Sequence, residues 1–335
     1  MSKVFVVVFL IFGTVVGSGF SSGKEIMVFF SRFGVLSYLY IILAGFLFFL
    51  LFYFFLSHGK KIAKFLEKSK LLNLVIAFIS LIFCASMFAG IKSLFEYSPT
   101  WLYVLSVVLL VLGCVVITLK GIKGFERLNL ILMPATSIVF LIVLFYALAI
   151  SSNFSISTNS WAGFLYSPLY VALNTSMSGL VIAKVGEGLS KKQTFFASLF
   201  SVLLLLVFLL LGNFVLQRNS ESYISEMPFL YLMRDNSFMF VLAYIVVLVG
   251  CFTTLISQCL TLKSFFENFV KNQFCVSLVS VLIPFFISAL GFSQIISFLY
   301  PICSVLGIFV LICVIFSEIS KSSGNELTSG KNHFW

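Results

Sequence analysis

A chain of 335 residues that is 61% hydrophobic and 10% charged, with a mean hydropathy of +1.17, lacks the polar surface that a water-soluble domain of this size needs. Its 43 phenylalanines exceed what an aqueous core could bury, so the expected solvent is a lipid bilayer. The formal charge of +10 comes from basic residues in short gaps between apolar runs, the pattern of cytoplasmic loops and not of a nucleic-acid groove.

The same inventory narrows the chemistry. Cys84, Cys114, Cys251, Cys259, Cys275, Cys303 and Cys313 all lie in apolar runs without a CxxC or other metal-ligand spacing, and His58 and His333 sit in polar segments. Haem, zinc and a histidine-based triad are excluded on these grounds.

The first apolar segment, 4–31, would be ~42 Å long as unbroken helix, too long for a simple crossing. Its middle reads GTVVGSGFSSG from Gly13 to Gly23. Glycine weakens a helix, and a break at membrane depth survives only where protein or a polar cavity satisfies the freed backbone groups. Gly13 and Gly17 also have the GxxxG spacing of close helix pairs. Lys24-Glu25 follows directly and is itself followed by apolar sequence. Charges so placed face a polar interior or each other, which favours a helix broken at mid-membrane. A cleaved signal peptide over 1–23 has the right basic start, but no A-x-A site follows.

The stretch 33–57 fits one span. The segment 57–70 fits either a short basic amphipathic helix on the membrane surface, through Ile62, Phe65 and Leu66, or a solvated loop. Spans at 71–91 and 97–119 follow, and the charge-free stretch 128–183 holds two crossings around a polar linker at 151–160. The second of these, 163–186, contains Pro168 and then NTSMSG from Asn174 to Gly179. Helix six is therefore expected to break at mid-membrane as well. The alternative is an intact helix whose hydroxyls bond their own backbone.

A span at 193–217 leads to an outer loop, 218–236, that carries Ile224, Met227, Phe229, Leu230 and Leu232 among acidic residues. The span 236–262 carries Gly250-Cys251-Phe252-Thr253-Thr254, where paired hydroxyls offer oxygen ligands suited to a hard cation. The stretch 272–317 holds two spans around a turn near 291–294, and 319–335 reads as a disordered cytoplasmic tail. The fold class is thus an all-α membrane protein with ten transmembrane helices. With the N-terminus inside, Lys60, Lys61, Lys64, Lys120, Lys123, Lys184, Lys191, Lys192, Lys263 and Lys271 all fall on the inner side. Both termini are therefore placed in the cytoplasm, in the cell's inner membrane. Ten spans divide into five plus five, 3–150 and 163–318, and an odd number per half inverts the second half. Broken helices at matching positions of inverted halves point to a midplane substrate site.

The stretch 12–30, FGTVVGSGFSSGKEIMVFF, resembles the first helix of the YkvI-type membrane proteins of the amino acid–polyamine–organocation (APC) superfamily. The likeness extends over the ten-span layout, residues 3–318, with the first-helix motif its specific part. It implies a LeuT-like fold, the inverted five-plus-five arrangement of the bacterial leucine transporter. It also implies a sodium site on Gly13, Val16, Gly250, Thr253 and Thr254. Substrate is implied at Gly17, Ser18, Gly19 and Phe20 of the first helix, with Tyr170, Asn174 and Ser178 of the sixth opposite, and a ligand carboxylate docked at a half-helix N-terminus. The family pattern carries an amide where this chain has Lys24. That leaves Lys24 as an internal cation, a partner for Glu25 or a snorkelling side chain, and leaves proton coupling through Glu25 open beside sodium.

The expected function is secondary active transport, a cation-coupled symport of an amino acid or similar small zwitterion or amine by alternating access. A channel would show rings of charge or carbonyl filters, a membrane enzyme a nucleophile–base pair, and neither motif is present. A non-transporting solute sensor on the same fold is the further alternative. No cofactor is expected apart from Na+ or H+ as coupling ion, and the oligomeric state is not written in the sequence.

Overall fold

The structure, a computed structural model, describes residues 3–96, 99–151 and 160–329, with side chains described as far as 318. Most of the linker expected at 151–160 therefore lies outside the described residues. The described chain is helical, without a strand.

The N-terminal segment is not one helix but three, α1 (Lys3–Val15), α2 (Ser18–Ser21) and α3 (Lys24–Phe29). Gly17 is extended, at φ −95° and ψ −164°. Gly23 takes a left-handed φ of +87°, a conformation that costs any residue with a Cβ ~1–2 kcal/mol. The glycines interrupt the helix where the sequence predicts, at two places instead of one. A tight turn over Ser31–Leu36 then feeds α4 (Ser37–Ser57). Here Leu39, Ile42, Phe46 and Leu50 are exposed on one side, while Tyr40, Ala44, Phe48, Phe52 and Phe55 are buried on the other. Both faces are apolar, as a helix between core and lipid requires.

The basic stretch after α4 forms the amphipathic helix α5 (Gly59–Lys68), burying Ile62, Ala63 and Leu66 and exposing Lys60, Lys61, Lys64 and Lys68. Next come α6 (Lys70–Leu94) and α7 (Thr100–Ile150). At 51 residues, α7 would reach ~76 Å, more than twice the hydrocarbon thickness. It is divided at Gly121, where φ is +68°, into arms that coincide with the predicted spans at 97–119 and 128–150. No atom lies within 4 Å of where a Cβ at Gly121 would stand, so backbone conformation, not packing, demands glycine there.

The sixth predicted span is a correction. α8 (Gly163–Val185) is continuous helix across Asn174–Gly179, not broken at mid-membrane. Its polar side chains satisfy themselves locally: Asn174 Nδ2 donates to the Tyr170 carbonyl at 3.0 Å, Ser176 Oγ to Leu173 at 3.0 Å and Ser178 Oγ to Asn174. Neighbouring backbones also press on it. Gly307 brings the last helix so close that a Cβ there would be 2.7 Å from the Ala172 carbonyl. Hydroxyls bonding back into an intact helix carry no need for a break.

The rest comprises α9 (Lys191–Arg218), α10 (Pro228–Leu232), α11 (Ser237–Phe266), α12 (Gln273–Ile287), α13 (Phe292–Gln294) and α14 (Tyr300–Ser329). The predicted turn at 291–294 is present, with Gly291 at φ +92°. The backbone stays helical through 319–329, within the tail expected to be disordered, because extending a helix needs no new nucleus. Residues 330–335 lie outside the described residues.

Seven helices of the described chain are long and apolar enough to cross a membrane. Of the apolar window of α6, 78% is buried, against 28% for α7, so α6 runs through the centre while α7 lies at the periphery. The exposed surface of α7 carries Trp101, Leu105, Leu109, Leu112, Ile138 and Phe145. So broad an apolar face is incompatible with water and suits lipid.

Candidate functional site

The break between α1 and α2 sits in the interior, where every residue from Phe12 to Phe20 is buried. Its effect on hydrogen bonding is specific. Gly17 N–H turns to the Val15 carbonyl at 3.0 Å instead of reaching the Gly13 carbonyl four residues back. The Gly13 oxygen accepts from Thr254 Oγ of α11 at 3.2 Å instead. α11 can approach because Gly250 has no side chain: a Cβ there would lie 3.1 Å from the Val16 carbonyl oxygen and 3.3 Å from that of Gly17. The five residues implied as a cation site thus divide. The Gly13 and Thr254 oxygens meet between α1 and α11, and the Val16 carbonyl faces α11 one turn away, at Gly250. The Thr253 hydroxyl turns back to its own helix, to Val249 at 3.0 Å and to the Gly250 carbonyl at 3.3 Å.

The expected substrate residues are placed as follows. The Gly17 carbonyl is taken by Ser21, through N–H at 2.9 Å and Oγ at 2.7 Å. That of Ser18 accepts Ser22 N–H at 2.9 Å, and that of Gly19 accepts Ser22 Oγ at 3.2 Å. The backbone that reaches other helices is therefore one turn earlier, at Gly13 and Val16, together with Ser18 N–H, which faces Met87 Sδ at 3.4 Å. Phe20 packs edge-on against Phe140, 6.4 Å between centroids. Ser178 is occupied within α8.

Tyr170 and Asn174 come together on α8, and α3, which carries Glu25, packs against them through Phe29. Glu25 is 1% exposed, and its Oε1 and Cγ crowd the Cα of Gly19. Tyr170 and Tyr300 both lie within electrostatic reach of this carboxyl group. Tyr170 and Asn174 are one helical turn apart on α8, and Phe29, Phe30 and Phe48 surround the Tyr170 ring at 5.2, 5.0 and 5.8 Å. Tyr300 stacks on Phe83 at 4.4 Å and shares a 2.6 Å hydrogen bond with Ser86. Buried polar atoms normally find partners. Here Glu25 Oε2 has none among the described residues, while the Tyr170 and Asn174 side chains lie within reach of each other.

Lys24 does not pair with its neighbour. Its Nζ donates to the Ser225 carbonyl at 3.1 Å, and Glu226, which accepts from Ser93 Oγ, is its nearest electrostatic partner. The segment before α11 closes over the broken helix at this end: Phe229 N–H donates to the Ser22 carbonyl at 2.9 Å, and its ring lies 3.1 Å from where a Cβ on Gly23 would stand. At the opposite end a cavity of about 220 Å³ is lined by Ile122, Leu180, Val181, Thr261 and Lys263. Thr261 follows Thr254 by two turns of α11, or ~10 Å.

Sequence reasoning misses Ser86 and Met87 on α6, Asn129 on α7 and Tyr300 on α14. Asn129 leaves a trace, as an amide in an otherwise apolar span. Its side chain lies against Gly13. The others look like ordinary residues of apolar helices, and only packing brings them to the break.

Helices too apolar for water, wrapped around an interrupted helix and a buried carboxyl group, define a multi-pass, all-α membrane protein with a polar site in its interior. Over 317 residues, 88% of this chain and 90% of the relative, the sequence is 24% identical to a protein of Bacillus subtilis (strain 168) described as "Uncharacterized membrane protein YkvI". No protein-family model matches the chain.

Proposed function

We propose that this protein is a secondary active transporter of the cell's inner membrane, carrying a small amine or zwitterion by alternating access, with both termini cytoplasmic. It crosses the bilayer ten times, α1–α3 counting as one interrupted crossing and α7 as two. Its halves, 3–150 and 163–318, are inverted repeats of the LeuT-like kind. Of the first and sixth crossings only the first is interrupted among the described residues, so the site is asymmetric: broken backbone on one side, the side chains of an intact α8 on the other.

The observation that carries this proposal is the buried break, where a hydroxyl of α11 replaces the hydrogen bond that α1 gives up at Gly13. A helix interrupted at depth is tolerated only beside such partners, and two-helix contacts of this kind can be remade when helices shift. Closure at the Phe229 end and the cavity at the Thr261 end support a carrier open toward the cytoplasm. The oxygens of Gly13, Val16 and Thr254 fit a coupling sodium ion, which would supply positive charge between α1 and α11. Thr253 and Gly250 would join it only after releasing their mutual hydrogen bond.

The test is uptake of labelled amines and amino acids into proteoliposomes under an imposed sodium or proton gradient. Accumulation against the solute's own gradient supports a carrier. Binding without flux makes the protein a sensor, and flux that no ion gradient can drive uphill makes it a channel. Either result refutes the proposal.

A further inference from the structure

We infer that the central site selects its ligand by a positively charged amino group paired with Glu25, and that it refuses a free carboxylate at the break in the first helix. This deepens the transporter proposal and rests on its placing a solute at that break.

The charge balance of the site is the starting point. Glu25 is 1% exposed and takes part in no ion pair among the described residues. The one neighbouring cation in sequence, Lys24, is held at the Ser225 carbonyl. A buried carboxylate without a partner is costly, and a cationic ligand removes that cost. Glu25 Oε2 is a buried acceptor without a partner among the described residues, and an alkylammonium has three N–H donors to offer, enough for this oxygen and others nearby. The aromatic rings suit the same charge. Phe29, on the same short helix as Glu25, packs on the Tyr170 ring at 5.2 Å, Tyr300 stacks on Phe83 at 4.4 Å, and ring faces attract a desolvated cation.

Position excludes the opposite charge. The Glu25 side chain already lies against the break: a Cβ on Gly19 would be 2.7 Å from its Cγ and 2.8 Å from its Cδ. A ligand carboxylate docked at Gly17–Gly19 would therefore compete with the Glu25 side chain for the same space, and the two could share it only if one of them took up a proton. The donor such a ligand would seek, Ser18 N–H, is turned toward Met87 Sδ. α2 and α3, of 4 and 6 residues, are too short to gather much helix dipole. The ligand class is thus a small organic monoammonium ion, not an amino acid zwitterion.

The experiment is thermal unfolding of the purified full chain in detergent, titrated with butylamine, butyrate and alanine. Butylamine is expected to raise the midpoint of the wild type, and butyrate and alanine to leave it unchanged. In Glu25→Gln the apparent affinity for butylamine should fall at least ~10-fold, the equivalent of ~1.4 kcal/mol, while Glu25→Asp retains measurable binding. Glu25→Gln keeps the size of the side chain and removes a buried carboxyl group without an ion-pair partner among the described residues, so folding should not be impaired. Should Glu25→Gln nonetheless fail to fold, Gly19→Ala displaces the carboxyl group and should weaken the amine response. Stabilisation of the wild type by alanine or butyrate at least as strong as by butylamine overturns the inference. So does an amine response unchanged by these substitutions, or the absence of any amine response. Glu25-dependent amine binding without flux would sink the transporter and spare this site. Gradient-driven uptake indifferent to Glu25→Gln would do the reverse.

Discussion

Replacing Thr254 by alanine isolates the contact on which the interior site depends. Because Gly17 N–H has turned to Val15, the Gly13 carbonyl relies on the Thr254 hydroxyl at 3.2 Å. Thr254→Ala leaves that buried acceptor unpaired, at a cost of ~1–3 kcal/mol. Thr254→Ser keeps the hydroxyl and loses only a methyl group, at ~0.8 kcal/mol. Unfolding both variants in mixed micelles, in potassium and then in sodium, separates structure from ion binding. Suppose sodium binds the wild type and is present at 100 times its Kd, where it stabilises by ~2.7 kcal/mol. A tenfold loss of affinity in Thr254→Ala would cut that to ~1.4 kcal/mol, whereas Thr254→Ser should stay near the wild type. Equal stability of the two variants in potassium would refute the hydrogen-bonding argument. Equal sodium increments in all three proteins would remove the ion site and leave the break without a coupling role.

Three further outcomes are expected. Gly23→Ala forces a side chain into φ +87° and against the Phe229 ring, so it should cost ~1–2 kcal/mol and speed proteolysis of the segment before α11; unchanged protection would mean that Phe229 does not close this end. Ser178→Ala removes a hydroxyl that bonds only within α8, so stability should change by less than ~1 kcal/mol and any measured uptake KM should not move, whereas a large KM effect would return Ser178 to the substrate wall. Cys275 is exposed, while Cys84, Cys114, Cys251, Cys259 and Cys303 are buried. A membrane-impermeant maleimide should therefore label Cys275 alone among these six, and from the cytoplasmic side of oriented vesicles; labelling from the outer side would invert the proposed topology.

The break in the first helix was legible because it is a local matter. A glycine series followed by Lys24-Glu25 conflicts with continuous helix in lipid whatever surrounds it, and Gly17 and Gly23 sit where the chain departs from helix. The same logic misled at α8. Pro168 and the hydroxyl-rich 174–179 look like a second break, yet Ser176 and Ser178 bond their own backbone, and close backbones from α14 and α5 hold the helix straight. Polar side chains inside a membrane helix have two outlets, their own carbonyls or a neighbour, and composition does not distinguish them.

From the sequence alone came the solvent, the helical class, the positions of the apolar spans and the interruption after Val15, because hydropathy and glycine content act within a few residues of themselves. Packing alone decided that Thr254 rather than Thr253 reaches the first helix, that Lys24 turns to Ser225, and that the Glu25 side chain lies against Gly19. The first two of these contacts join residues far apart in sequence, and a side chain's choice between its own helix and a neighbour depends on interhelical distances of a few ångströms that no local pattern encodes.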